Sequence, residues 1–283
     1  MCHQVYLEVK GLTRALLTVC APPAPRYILE PMFGFAVIGF LLASQQAPQA
    51  DDIAKLEAAV RVDPSNGTVW KALGMALAAQ QRSEPALVAF SRACDLIPKD
   101  EDSCYFLGRQ LFSLSRYREA VAAFDKAVLA ASKEKLSRTH RAAALNQIGN
   151  GSVEQAVRHF RDAVRPGYGP DETLADAQTD YGAFLFRQAR SKEALAALEQ
   201  AVKINPSSAR AHAELGRVLL HLNRPRESAV ALERAVKLDD GLSGIHMLLG
   251  RAYLAMGRSE EAERQLRLGR KQWEGSQRRS TGR

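Results

Sequence analysis

The chain has 283 residues, of which 46% are hydrophobic and 25% charged, and its 39 basic and 31 acidic side chains leave a formal net charge of +8. Seven of the basic residues and only one acidic residue lie between Arg264 and Arg283, so the surplus belongs to one end and not to a nucleic-acid-binding body. Four cysteines without any Cys-x-x-Cys exclude a zinc or thioredoxin-like module.

Residues 1–50 read as a leader or targeting segment outside the fold. No charge lies between Glu30 and Asp51, and the run 33–43 is apolar throughout. Such a run is too short to cross a bilayer but suits the hydrophobic region of a secretory signal, and 44–50 could hold a cleavage site, although no Ala-x-Ala triplet is present. The proline-rich stretch 21–25 carries no repeat feature, which makes Met32 an alternative start; that start leaves no basic region ahead of the apolar run. Leu17-Thr18-Val19-Cys20 faintly resembles a lipoprotein box, with valine as the mismatch. The expected location is periplasmic, exported or membrane-tethered, with membrane contact only through an uncleaved leader; the alternative is cytoplasmic.

From residue 51 onward a period of thirty-four sets in. Residues 51–64 carry half a unit, with Leu56, Ala59 and a closing Pro64. The first full copy reads Trp70-x2-Leu73-Gly74-x2-Leu77, then Ala86-x3-Phe90-x2-Ala93, then Pro98. The second carries Leu107-Gly108, Ala120, Phe124 and Ala127. The next is irregular: Leu145 and Gly149 set one register, while Ala156, Phe160 and Ala163 set another, which points to an insertion in the turn at 149–152. The stretch 166–170, with two prolines and two glycines, cannot continue a helix and forms a seam. It divides an N-terminal block, 51–165, from a C-terminal block, 171–276, in which Gly182, Gly216 and Gly250 restore the period; a basic tail, 277–283, follows. A tolerated loop in one continuous stack is favoured over a hinge at the seam.

Each copy has two apolar stretches of helical period around a polar turn, hence a helical hairpin. Glycine inside a helix costs about 1 kcal/mol against alanine, so the recurring glycines need a packing reason. Small residues facing Phe90, Phe124 or Leu198 let two helices approach closely. The motif resembles the tetratricopeptide repeat. The resemblance implies an all-α fold, an alpha-solenoid of about six stacked antiparallel hairpins plus an N-terminal half repeat.

In proteins of that family the first helices line a concave groove, and residues just after the glycine and one turn later point into it. Here this implies a partner-binding face of Tyr105, Arg109, Phe112, Phe186, Arg187, Arg217, Leu220, His221, Arg251 and Leu254. Arginines between apolar side chains suit an extended, acidic peptide, because guanidinium pairs carboxylate bidentately. The carboxylate clamp of chaperone-binding relatives is not expected, because Met75, Arg109 and Arg217 replace its asparagine. Aromatic packing and solvated arginine are the competing reading of the same residues.

His212 and His246 share a repeat position but lack a completing carboxylate, so no metal is expected, nor any cofactor. Cys94 and Cys104 flank one turn; two small buried hydrophobes are favoured over a disulfide, which ten residues of separation cannot establish. No catalytic spacing or phosphate loop occurs. The expected function is a non-catalytic protein-interaction scaffold binding a protein or extended peptide, with a role in bacterial envelope assembly suggested by the leader and by analogy. No small-molecule substrate is expected and nucleic acid is disfavoured. The alternatives are nucleic-acid or anionic-surface binding through the basic C-terminal tail, and an adaptor subunit of an enzyme complex.

Overall fold

The computed structural model describes residues 2–7, 15–20 and 50–280. The chain divides into two compact units, Met1–Gln46 and Ala47–Arg283. In the first, β1 (Cys2–Leu7) and β2 (Ala15–Cys20) pair as an antiparallel ribbon, with Cys2 opposite Cys20 and Leu7 opposite Ala15. The leader reading of 1–50 does not include this pairing. The apolar run 33–43, the stretch 44–49 and the alternative start at Met32 lie outside the described residues.

The described part of the second unit is helical throughout. A half repeat, α1 (Ala50–Val62), precedes six hairpins: α2 (Gly67–Ala79) with α3 (Ser83–Leu96), α4 (Ser103–Ser113) with α5 (Tyr117–Ala130), α6 (Leu136–Gly149) with α7 (Val153–Ala163), α8 (Asp171–Arg187) with α9 (Ser191–Ile204), α10 (Ala209–His221) with α11 (Pro225–Leu238), and α12 (Ile245–Ala255) with α13 (Ser259–Ser280). The expected solenoid of six repeats and a half is therefore present. Helix α13 runs on to Ser280, so Arg278 and Arg279, read from sequence as tail, are helical in backbone.

One small-to-large contact recurs in every hairpin. A Cβ built on Gly74 would lie 2.7 Å from the Phe90 ring, and one on Gly216 would lie 2.5 Å from Leu232 Cγ. Gly108 meets Phe124, Gly182 meets Leu198 and Gly250 meets Leu266 in the same way. In the third hairpin the pair is Ala144 with Phe160, both fully buried. The separation is sixteen residues in all six.

That constancy corrects the expected insertion at 149–152. The left-handed turn residue of each hairpin is Gln81, Ser115, Gly151, Ala189, Asn223 or Gly257. The spacing is thirty-four except from Ser115 to Gly151, thirty-six, and from Gly151 to Ala189, thirty-eight. The third turn is of ordinary length. Two extra residues sit before α6, where Lys133–Lys135 form a 3-10 turn, and four lengthen the start of α8, which begins eleven residues before Gly182 where α2 and α10 begin seven before Gly74 and Gly216. The seam joins α7 to α8 inside a single compact unit, with α8 packed on both α6 and α7. Ser137 N donates to Tyr168 O at 2.7 Å, tying the loop to α6.

Helix starts follow local chemistry. Asn66 and Ser208 side chains accept from Val69 N and Ala211 N, capping α2 and α10. Four of the second helices, α5, α9, α11 and α13, use a different device. Arg116, Arg190, Arg224 and Arg258 stand at the N-cap, and each guanidinium clips the glutamate three residues on: Glu119, Glu193, Glu227 and Glu261. Each glutamate also lies in the first turn, where the helix dipole favours negative charge.

The cysteines require a second correction. Cys94 at the end of α3 and Cys104 at the start of α4 form a disulfide, with Cα atoms 4.7 Å apart and both residues wholly buried. The turn between the two hairpins supplies the proximity that spacing alone left open.

Candidate binding face

Consecutive first helices touch from α4 through α12, whereas among the described residues consecutive second helices share no comparable packing. The stack therefore curves with the first helices inside, and the ten residues expected from sequence all lie on first helices, α4, α8, α10 and α12.

The structure divides them by exposure. On α4, Tyr105 is buried, its ring edge-on to Phe124 at 6.4 Å. Arg138 of α6 lies over that ring at 4.6 Å and Arg109 at 5.7 Å, so Tyr105 is the floor between two cations. Phe112 is half-buried and packs edge-on against Tyr117 at 5.5 Å. Phe186 is half-buried beside the Leu185 and Leu219 cluster and meets the His221 ring at 5.2 Å. Leu220 packs against the core shared by α11 and α12. Arg187, Arg217, His221, Arg251 and Leu254 are exposed, Leu254 to 53%. Arg217 pairs with Glu214 at 3.5 Å. The aromatics thus spend much of their area on packing, and the open positions concentrate on α8, α10 and α12.

A second feature of the same face was not anticipated. Arg141 on α6 donates from Nε to Asp180 Oδ2 at 2.6 Å and reaches Asp176 with Nη1 at 3.3 Å, both on α8. Arg210 on α10 pairs with the other Asp180 oxygen. Towards the N-terminus, Arg138 pairs with Asp102, which also accepts from Lys135 at 3.1 Å, while Lys135 pairs with Glu101. The Asp180 side chain is 1% exposed and that of Arg141 7%. Burial alone would raise the Asp180 carboxyl, but Arg141 and Arg210 outweigh it and hold the group below the usual carboxylate range. Burial dominates at Asp176, whose carboxyl is raised despite Arg141. At Glu101 burial is overcome by Lys135 and the Ser132 bonds, and the value falls to about 2. The pairing links first helices of three successive hairpins and crosses the seam.

The signal for this ladder is in the sequence once the phase is right. Six residues before each Gly or Ala of the small-to-large pair stand Asp102, Arg138, Asp176 and Arg210, alternating in sign along α4, α6, α8 and α10. Two residues before Gly182 stands Asp180, where the other copies hold Ala72, Phe106, Ala142, Glu214 and Leu248.

Residues 53–101 and 184–243 match one tetratricopeptide repeat family model, and 101–134 match another. The chain belongs to the tetratricopeptide repeat family. A curated relative, Superkiller protein 3 of Saccharomyces cerevisiae, is 30% identical over 101 residues, 36% of this chain. The match spans only 7% of that protein's length. Among solved structures, PilW, a type IV pilus biogenesis factor, is 16% identical, covers 70% of this chain and 90% of its own, and gives a TM-score of 0.59. YrrB, a tetratricopeptide repeat protein with an unusual peptide-binding site, is 18% identical, covers 74% of this chain and all of its own, and gives 0.53. Those likenesses show the fold.

The repeat-position histidines have separate partners in the structure. His212 Nε2 lies 3.0 Å from Pro206 O, and His246 Nδ1 lies 2.7 Å from Gln265. His140 occupies the same position in the third hairpin, with its Nδ1 3.2 Å from that of His159. Among the described residues no group of three or more His, Cys, Asp or Glu could hold a metal, and no helix is long and apolar enough to cross a membrane.

Proposed function

We propose that the repeat stack is a non-catalytic scaffold that holds an extended acidic peptide along the inner face of α8, α10 and α12. A tetratricopeptide array is an interaction scaffold, and YrrB carries a peptide-binding site on the same fold. The observation that carries the finer reading is the exposure pattern. Arg187, Arg217, His221, Arg251 and Leu254 stand open on three adjacent helices, whereas Tyr105, Phe112 and Leu220 are engaged in packing. Guanidinium groups at that spacing can pair carboxylates, and Leu254 supplies an apolar anchor. The charge-reversed Arg217→Glu/Arg251→Glu protein should lose binding of a fluorescent peptide of alternating glutamate and leucine by tenfold or more in an anisotropy titration. Undiminished binding would refute the assignment.

The Cys94–Cys104 disulfide favours a second reading, on compartment. Disulfides persist where the surroundings are oxidising, and this one is a fully buried link between hairpins. The chain acts after export, tethered or free, and an envelope-assembly role is the natural setting for such a scaffold. Intact-mass analysis of protein isolated from its own host should show residues 94 and 104 oxidised and the leader absent. A chain beginning at Met1 or Met32 with both thiols reduced overturns it.

A further inference from the structure

The far end of the stack offers a second docking surface, distinct from the inner face. In the preceding junctions the next first helix lies across the second helix, as α12 does on α11 and α4 on α3. Among the described residues nothing lies across α13 in this way. Its corresponding face opens onto a groove of about 670 Å³ between α12 and α13, lined by Tyr253, Glu261, Arg264, Arg267, Leu268 and Lys271. Leu268 is 46% exposed there, and Arg264, Arg267 and Lys271 are exposed cations.

The polarity of this seat differs from that of three of the junctions before it. At the α11–α12 junction the docked helix donates a hydrogen bond from Tyr253 Oη to Glu233 of the underlying helix, at 2.8 Å. The position of Glu233 holds Asp125 in α5 and Glu199 in α9, so three underlying helices present a carboxylate there, while α3 holds Ser91 and α7, beneath α8, holds Arg161. In α13 the same position is Arg267, with Arg264 and Lys271 one turn to either side on the same face. Glu261, the groove's one acidic member, is clipped by Arg258 at 2.8 Å. A helix seated here meets Arg264, Arg267 and Lys271 and must bring acceptors to them, where α12 brings the Tyr253 donor to Glu233. The neighbouring Leu268 asks for one apolar side chain beside them.

We infer that the α12–α13 end groove docks an acidic amphipathic helix of a partner protein, seated where a seventh first helix would lie. Helix-in-groove recognition reads apolar anchors at helical spacing, with flanking charge setting specificity. The N-terminal segment 21–49 of this chain does not fit the requirement, because Arg26 and Glu30 are its only charges and they cancel.

The test uses stapled helical peptides copied from residues 244–257, so that helicity is not the variable, with Tyr253 replaced by glutamate in one and by lysine in the other. Titrated against the full chain by fluorescence anisotropy, the glutamate peptide should bind at least tenfold more tightly than the lysine peptide. Combined Arg264→Glu, Arg267→Glu and Lys271→Glu substitutions, all at exposed positions, should invert that order. The inner-face variant Arg217→Glu/Arg251→Glu should leave it intact, and the Arg267→Gln protein should give an intermediate preference. Equal affinity for both peptides, absence of binding, or indifference to the triple reversal overturns the inference. So does a concentration-dependent dimer in sedimentation that the triple reversal abolishes, which would assign the face to a second copy of this chain.

Discussion

At Ala189 the backbone takes φ 58°, the left-handed region, in a turn where Gly151 and Gly257 do the same job at 78° and 75°. For a residue with a Cβ this conformation costs about 1–2 kcal/mol, and glycine escapes that cost while losing about 0.5–1 kcal/mol through its freer unfolded chain. Asn223 at the equivalent turn is a tolerated occupant, because asparagine visits this region more readily than alanine does. Ala189 is exposed, so replacing it disturbs no packing. Ala189→Gly should therefore stabilise the protein by about 0.5–1 kcal/mol, read as a higher urea midpoint with unchanged slope. A lower midpoint would mean that this turn does not need the left-handed conformation.

At the scale of helices, what could be read from sequence was whatever repeats in step. Gly74, Gly108, Gly182, Gly216 and Gly250 mark the first helices, and Phe90, Phe124 and Leu198 mark their partners, so hairpin order and core positions follow from spacing. Helix α6 hides from the same logic. Ala144 replaces its glycine, and Gly149, which resembles the missing marker, sits at the helix end against the Tyr117 ring, 2.6 Å from where its Cβ would be. Buried Ser137, Thr139, His140, Arg141, Asn146 and Gln147 blur the apolar stripe that periodicity needs. With the phase lost on both sides of α6, the alternation Asp102, Arg138, Asp176, Arg210 could not be lined up. The candidate face was legible only in part for another reason. Position in the repeat places a side chain on the inner face, but whether Tyr105 lies open or under Arg138 depends on the neighbouring helix, which comes from the next copy. The disulfide is similar, since the turn after α3 and not the ten-residue spacing brings Cys94 to Cys104.

Across the whole stack, each hairpin contacts mainly its neighbours, so stability is a chain of local interfaces and the weakest junction governs cooperativity. The seam is where that chain has the longest connection, and the Arg141–Asp180–Arg210 group spans it. Its effect on stability is asymmetric. A buried ion pair is often worth little against apolar residues of similar volume, yet removing one partner strands the others and costs about 3–5 kcal/mol. Asp180 is the shared partner of two guanidiniums, so Asp180→Ala should lose about that much in urea denaturation, whereas the combined Asp180→Leu/Arg141→Met change should lose much less. Amide exchange adds the location. The single variant should expose α6, α8 and α10 selectively while α2 and α3 keep their protection, because a stack with nearest-neighbour coupling opens first where an interface has been weakened. If Asp180→Ala unfolds within about 0.5 kcal/mol of the parent, the ladder contributes no net stability across the seam, and its placement on the inner face would have to be explained by binding instead.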